Sequence, residues 1–148
     1  MSHRDPLALE EQVCFALAVA SREVVAAYRS VLEPLGLTHP QYLVMLALWQ
    51  HDAVGVRRLS EMLHLDPGTL SPLLKRLEAA GLVTRSRSTT DERALSVTVT
   101  PAGRRLRDEA LAVPTTMLTR LGMDEDDLEA TNVVLHRIID AAHAQASA

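Results

Sequence analysis

The hydrophobic period of this chain changes near residue 82, and that change restricts the folds open to it. Upstream, Leu70, Leu73, Leu74 and Leu77 recur at the i, i+3, i+4, i+7 spacing of a helix with one buried face. That helix is expected over residues 67–80. Asp66 is a good N-cap, Pro67 a good first helical residue, and Gly81 a left-handed stop. A shorter helix over about residues 57–64 precedes it across the corner Leu65-Asp66-Pro67-Gly68, with Leu59, Met62 and Leu63 turned inward. Downstream the pattern alternates. Residues 82–88 and 94–100 are rich in Val and Thr and flank the polar tip Thr89-Thr90-Asp91-Glu92, as in a β-hairpin. Helix, tight corner, helix and hairpin make a helix-turn-helix with a wing. The fold class expected is mainly α, an α+β winged helix.

The flanks are longer and more apolar than such a unit needs. Val13, Leu17, Ala20, Val24, Tyr28, Val31 and Leu32 step by threes and fours, which predicts one long helix over about residues 7–35. Thr38 and Gln41 then fit a capping box, with Pro40 in the first turn of a largely buried helix running to about residue 51. Residues 52–55 read as a turn. Thr100 caps a helix over about residues 101–121 kinked at Pro114, and Asp124 to Asp127 open a last helix that ends near residue 144. Aromatics are only 3% of the chain against 47% apolar residues, so the volume comes from Leu, Val, Ala and Met, which suits helices. One domain of 148 residues is expected: residues 55–100 form the winged helix, and residues 7–51 and 101–146 form helices that dimerise. No basic-then-apolar leader and no membrane-spanning run is present, and a single cysteine suits a reducing compartment. A soluble cytoplasmic homodimer without contact to a membrane is expected.

The charge is unevenly placed. Between Arg57 and Arg107 stand ten Lys/Arg and five Asp/Glu, whereas the chain as a whole carries a net charge of −4. An acidic protein with a basic middle presents one face to a polyanion. With the leucines of the second helix turned inward, Thr69, Ser71, Pro72, Lys75 and Arg76 face out near its start. Short hydrogen-bonding groups and cations are wanted there in the major groove of double-stranded DNA. Arg85 and Arg87, two apart on a strand, share a face and with Arg93 suit phosphates or the minor groove. Each of these charges alone is an ordinary solvated side chain; the set, on this scaffold, favours DNA. A dimer repeats the set at roughly 34 Å, which calls for a pseudo-palindromic operator. No exposed aromatic pair offers itself for stacking RNA bases.

The segment Asp91-Glu92-Arg93, the strand that follows it and Thr100-Pro101-Ala102-Gly103 resemble the MarR family of winged-helix transcriptional regulators. Gln12-Val13-Cys14-Phe15, Leu32-Glu33-Pro34-Leu35, Pro40-Gln41-Tyr42-Leu43, Leu65-Asp66-Pro67-Gly68-Thr69-Leu70 and Pro72-Leu73-Leu74-Lys75-Arg76 are similar to its organic-hydroperoxide-sensing, OhrR-like branch of one-cysteine type. The resemblance runs from about residue 9 to residue 140. It implies a homodimeric repressor released from its operator when a cysteine is oxidised. By motif, Cys14 falls on the reactive cysteine and Tyr28 on one of two tyrosines that hydrogen-bond it. His39 stands at the place of the second tyrosine. Arg93 falls on a wing arginine that enters the minor groove, and Asp91 on the acid that positions it.

The residues constrain this chemistry further. Thiolate, not thiol, attacks a peroxide. In a helix starting near residue 7, Cys14 lies beyond the first turn, where the dipole fades, so donors or a cation must favour the thiolate. Tyr28 is fourteen residues on, roughly 21 Å along a straight helix, and reaches Cys14 only across a dimer interface. Val13, Phe15, Leu17, Val44 and Leu48 are expected around the sulfur and would favour organic hydroperoxide over hydrogen peroxide. The sulfenic acid formed has no second cysteine to meet, so a low-molecular-weight thiol or over-oxidation follows. Two other readings stand beside this one: a repressor induced by a small aromatic acid independently of Cys14, and a thiol peroxidase. The second lacks a resolving cysteine. No cofactor is called for, and the histidines show no metal-ligand spacing, so no metal site is expected.

Overall fold

The computed structural model describes residues 4–87 and 95–147. The chain divides at Val113 into two compact units. The first carries α1 (Val13–Leu32), α2 (His39–His51), β1 (Ala53–Gly55), α3 (Val56–Leu63), α4 (Pro67–Ala79), β2 (Val83–Arg87), β3 (Leu95–Val99) and α5 (Pro101–Ala110). The three strands form an antiparallel sheet in the order β1-β3-β2. Its register pairs Val54 with Val97, Val83 with Val99 and Arg85 with Val97. Helix-turn-helix and wing are therefore present as the period change predicts.

Local chemistry accounts for the boundaries that set α2 and α4. The Thr38–Gln41 capping box closes as expected, with Gln41 N–H donating to Thr38 Oγ1 at 3.3 Å and Thr38 N–H to Gln41 Oε1 at 3.0 Å. The Asp66 carboxylate accepts from Thr69 N–H at 2.8 Å and starts α4. Gly81, at φ +76°, ends it, and Leu82 N–H returns to the Leu77 carbonyl at 3.0 Å. The core lies among α2, α3, α4 and the sheet. Val44, Met45 and Leu48 of α2, Leu59 of α3, Leu70, Leu74 and Leu77 of α4, and Val83 and Val97 are fully or almost fully buried.

Three expectations are corrected. The single helix over residues 7–35 is instead a 3-10 turn at Leu9–Glu11, the helix α1, and a second 3-10 turn at Glu33–Leu35. The break falls at Gln12, whose backbone is extended and whose side-chain amide donates to the carbonyls of Pro6 and Ala8 at 2.7 and 2.9 Å. Those two bonds satisfy the turn locally, which periodicity does not register. Residues 53–55, read as part of a turn, are the strand β1. Its three residues are too few to show an alternation, but Val54 is buried opposite Val97. The kinked helix over residues 101–121 is two helices, because Pro114 lacks an N–H and its ring conflicts with the Ala110 carbonyl, where α5 ends.

The second unit holds α6 (Val113–Arg120) and α7 (Glu125–Ala146). Asp124 and Asp127 exchange backbone and side-chain hydrogen bonds at 2.8 and 3.1 Å and start α7. No residue of this 22-residue helix is buried, and Val133 and Val134 are half exposed.

One contact in the first unit has no slack. A Cβ on Gly103 would lie 2.3 Å from the Leu82 carbonyl oxygen and 2.7 Å from Val99 Cγ1. Gly103→Ala is therefore expected to lose at least about 2 kcal/mol of stability by overpacking. Urea unfolding measures it; a loss under about 0.5 kcal/mol would show that the helix and hairpin separate readily there.

Candidate nucleic-acid interface and sensor site

The expected recognition surface lies on α4. Thr69, Ser71, Pro72, Lys75 and Arg76 are all exposed there, opposite the buried Leu70, Leu73, Leu74 and Leu77. Thr69 has a second task. Its hydroxyl donates to Asp66 Oδ2 at 3.0 Å, so its oxygen is left to act as an acceptor. The two Thr69 hydrogen bonds, backbone first, hold the Asp66 carboxyl below the usual carboxylate range. Pro72 stands inside the helix, where it removes one ladder bond without ending it.

The wing behaves less simply. Arg85 and Arg87 do share a face, and it is the face of Val83, because Arg85 pairs with the buried Val97. Arg85 is consequently half-buried, and Glu78 holds it twice. Arg85 N–H donates to Glu78 Oε2 at 3.0 Å and its guanidinium to Oε1 at 3.3 Å. Arg87 is exposed. Glu78 is a residue the sequence did not single out, since it lies seven positions away across a glycine turn and no helical or strand spacing links the two. Asp91 and Arg93 lie outside the described residues. Arg57 also stands on the exposed side of α3, paired with Glu61 at 3.7 Å.

The residues expected to act as sensor separate into two places within one chain. Cys14 is exposed and is the second residue of α1. This corrects the expectation that it lies beyond the reach of the helix dipole: the break at Gln12 puts it in the first turn. Val44 and Leu48, expected around the sulfur, are sealed in the core of the first unit instead. Tyr28 sits near the other end of α1, about 21 Å further along the axis at 1.5 Å per residue. Its ring lies 5.0 Å from that of His39 and 5.7 Å from that of Tyr42. Burial pushes the Tyr28 phenol up and the His39 imidazole down. Burial, then the Tyr28 charge, raises Tyr42. Tyr42 joins the cluster because it is three residues past His39 on the same helix face, a spacing visible in the sequence but read there only as core. Beside the cluster an open cavity of about 520 Å³ is lined by Val25, Arg29, Glu33, Leu37, His39 and Pro40, among others. No group of metal-ligating side chains occurs among the described residues. No helix among them is long and apolar enough to cross a membrane.

A helix-turn-helix with a wing, an outward row of short polar and basic residues and long flanking helices define a winged-helix transcriptional regulator. The chain belongs to the MarR family: residues 37–95 match the family model. It is 40% identical to the organic hydroperoxide resistance transcriptional regulator of Bacillus subtilis over 139 residues, 94% of this chain and 95% of that protein. It is 43% identical to the HTH-type transcriptional regulator TtmR of Methylorubrum extorquens over 142 residues, 96% of this chain and 73% of that one. A structure of reduced AbfR bound to DNA superposes with a TM-score of 0.78 at 29% identity, covering 93% of this chain and 94% of that one. The two curated relatives are named as transcriptional regulators.

The Glu78–Arg85 bridge has a pH signature. Bonds from the Arg85 side chain, then from its backbone, depress the Glu78 carboxyl. A depressed carboxylate contributes stability above its ordinary range of about 4, and that contribution is lost as pH falls through the lowered value. Glu78→Gln is expected to melt below the wild type at pH 7, with the gap closing under acid. A gap that stays constant between pH 7 and about pH 3 would show that the carboxylate charge is not what ties β2 to α4.

Proposed function

We propose that this protein is a redox-sensing repressor: a homodimer that binds a pseudo-palindromic operator in double-stranded DNA and leaves it when an organic hydroperoxide oxidises Cys14. One observation carries the reading. Cys14 and Tyr28 stand near opposite ends of the continuous helix α1, and His39 at the start of α2 packs on Tyr28, so the three meet only if a second copy brings its own ring pair to the first copy's sulfur. Support comes also from the relative in Bacillus subtilis, which is named for organic hydroperoxide resistance. Exposed Val13, Phe15 and Val25 in α1, and Leu128, Val133, Val134 and Ile139 in α7, are the apolar surface such a dimer would cover. Residues 7–51 and 101–146 then serve dimerisation and sensing, and residues 55–100 serve DNA.

The chemistry follows from the sulfur's position. The thiolate attacks the peroxide oxygen, the O–O bond breaks, and the sulfenic acid forms as the alkoxide leaves and takes a proton as the alcohol. A first-turn sulfur faces the positive end of the helix dipole, which favours negative charge there. The His39 ring offers an N–H and Tyr28 an O–H to the partner's sulfur. A low-molecular-weight thiol then displaces water from the sulfenic acid and forms a mixed disulfide. Either product adds bulk at a packed interface and disturbs the spacing of the two reading heads. On DNA, Thr69, Ser71, Pro72, Lys75 and Arg76 enter the major groove, and Arg87 and Arg93, the latter positioned by Asp91, approach phosphates or the minor groove. Arg85 takes part from its bridge with Glu78. A DNA-bound AbfR of similar fold supports DNA as the partner.

A gel shift with and without cumene hydroperoxide, with mass spectrometry on Cys14, tests the proposal. The wild type is expected to lose its operator on oxidation. Cys14→Ser is expected to bind as tightly and to hold on. Release of the serine variant by oxidant overturns the switch, and release of both proteins by a small aromatic acid alone would favour a ligand-induced repressor. Separately, Arg93→Ala is expected to weaken binding and lower the salt slope by about one unit, as loss of one phosphate contact does. An unchanged slope would take the wing off the duplex.

A further inference from the structure

The helix α2 joins the ring cluster to the root of the wing. Its first residue, His39, packs on Tyr28 with ring centroids 5.0 Å apart. Its 13 residues make a rod of about 20 Å at 1.5 Å per residue. Tyr42, Val44, Met45, Ala47 and Leu48 bury one side after another, and nothing beyond Pro40 in the first turn interrupts it. The far end is tied down three times. The Trp49 indole N–H donates to the Gly103 carbonyl at 2.9 Å. Val99 N–H donates to the Asp52 carbonyl at 3.3 Å, and Asp52 forms an ion pair with Arg104.

Those partners are the wing's own anchorage. Gly103 is pressed against the Leu82 carbonyl and Val99 without room for a methyl group. Thr100 donates from its N–H to Leu82 at 3.1 Å and from its hydroxyl to the Gly81 carbonyl at 2.6 Å. Gly81 and Leu82 lead into β2, and Val99 ends β3. A stiff rod bonded to the first turn of α5, itself closely packed on both strand roots, has little freedom to move at one end alone.

We propose that Trp49 is a positioning residue that couples the Tyr28–His39 ring pair to the wing: α2 carries a displacement of that pair to Gly103 through the indole hydrogen bond. The inference rests on the redox reading for what displaces the rings, and on the geometry alone for what the displacement moves. Trp49 touches neither sulfur nor DNA in this scheme. Its loss is expected to leave binding nearly intact and to blunt the response.

Two measurements test it. Trp49 is the one tryptophan in the chain, so its emission reports this joint without a label. Oxidation of the dimer by cumene hydroperoxide is expected to shift that emission in the wild type and not in Cys14→Ser. An operator release with unchanged emission overturns the inference. The second measurement needs no oxidant. Operator affinities of the wild type, Tyr28→Ala, Trp49→Phe and the double variant form a cycle, with circular dichroism to verify folding. Tyr28→Ala is expected to change affinity several-fold less in the Trp49→Phe background than in the wild type. Independent, multiplicative effects overturn the coupling even if release by peroxide is confirmed. A coupled cycle in a wild type that ignores peroxide would instead sink the redox reading and leave the coupling standing.

Discussion

The first turn of α5 lies directly on the hairpin root, with Gly103 and the Leu82 carbonyl too close for any side chain between them. Much else in the first unit is arranged around that contact. The Thr100 cap that starts α5 also bonds Gly81 and Leu82, so one residue begins a helix and closes the base of a hairpin. The end of α2 then attaches to the same few residues through Trp49 and Asp52. The helix α4 enters from the other side, since Gly81 ends it and Leu82 returns to Leu77. The helices α2, α4 and α5 and the hairpin thus share one junction.

The helix α1 contributes a different constraint. A helix holds residues fourteen apart at a fixed distance, so a sulfur at its start and a phenol near its end cannot serve each other in one copy. On the proposed chemistry, that prohibition becomes a requirement for a second copy. The Gln12 break sharpens the arrangement, since it sets the sulfur at the exposed beginning of the helix and not inside it. On the wing, the Glu78–Arg85 bridge shows that a count of basic residues overstates the free charge available to a polyanion.

Much of this architecture was legible in the sequence, and the reason lies in the kind of signal each part carries. The helix-turn-helix, the capped helix starts and the alternating strands declare themselves through period and capping residues, which are local. The row Thr69, Ser71, Pro72, Lys75 and Arg76 followed from knowing which face the leucines bury. What stayed hidden depends on bonds between residues distant in sequence or on short elements. The amide of Gln12 breaks a periodic run, β1 is three residues long, and Glu78 meets Arg85 across a turn. Tyr42 and Trp49 were visible as large apolar residues, but their neighbours at Tyr28 and Gly103 are supplied by the fold.

Cys14 is exposed and is the chain's only cysteine. On the proposed chemistry, oxidation needs nothing but peroxide, whereas reversal needs a reductant from outside the polypeptide. Onset and recovery are therefore governed by two different pools. The duration of derepression is a property of the cell's thiol supply, and the regulator keeps a record of a past oxidant until that supply erases it.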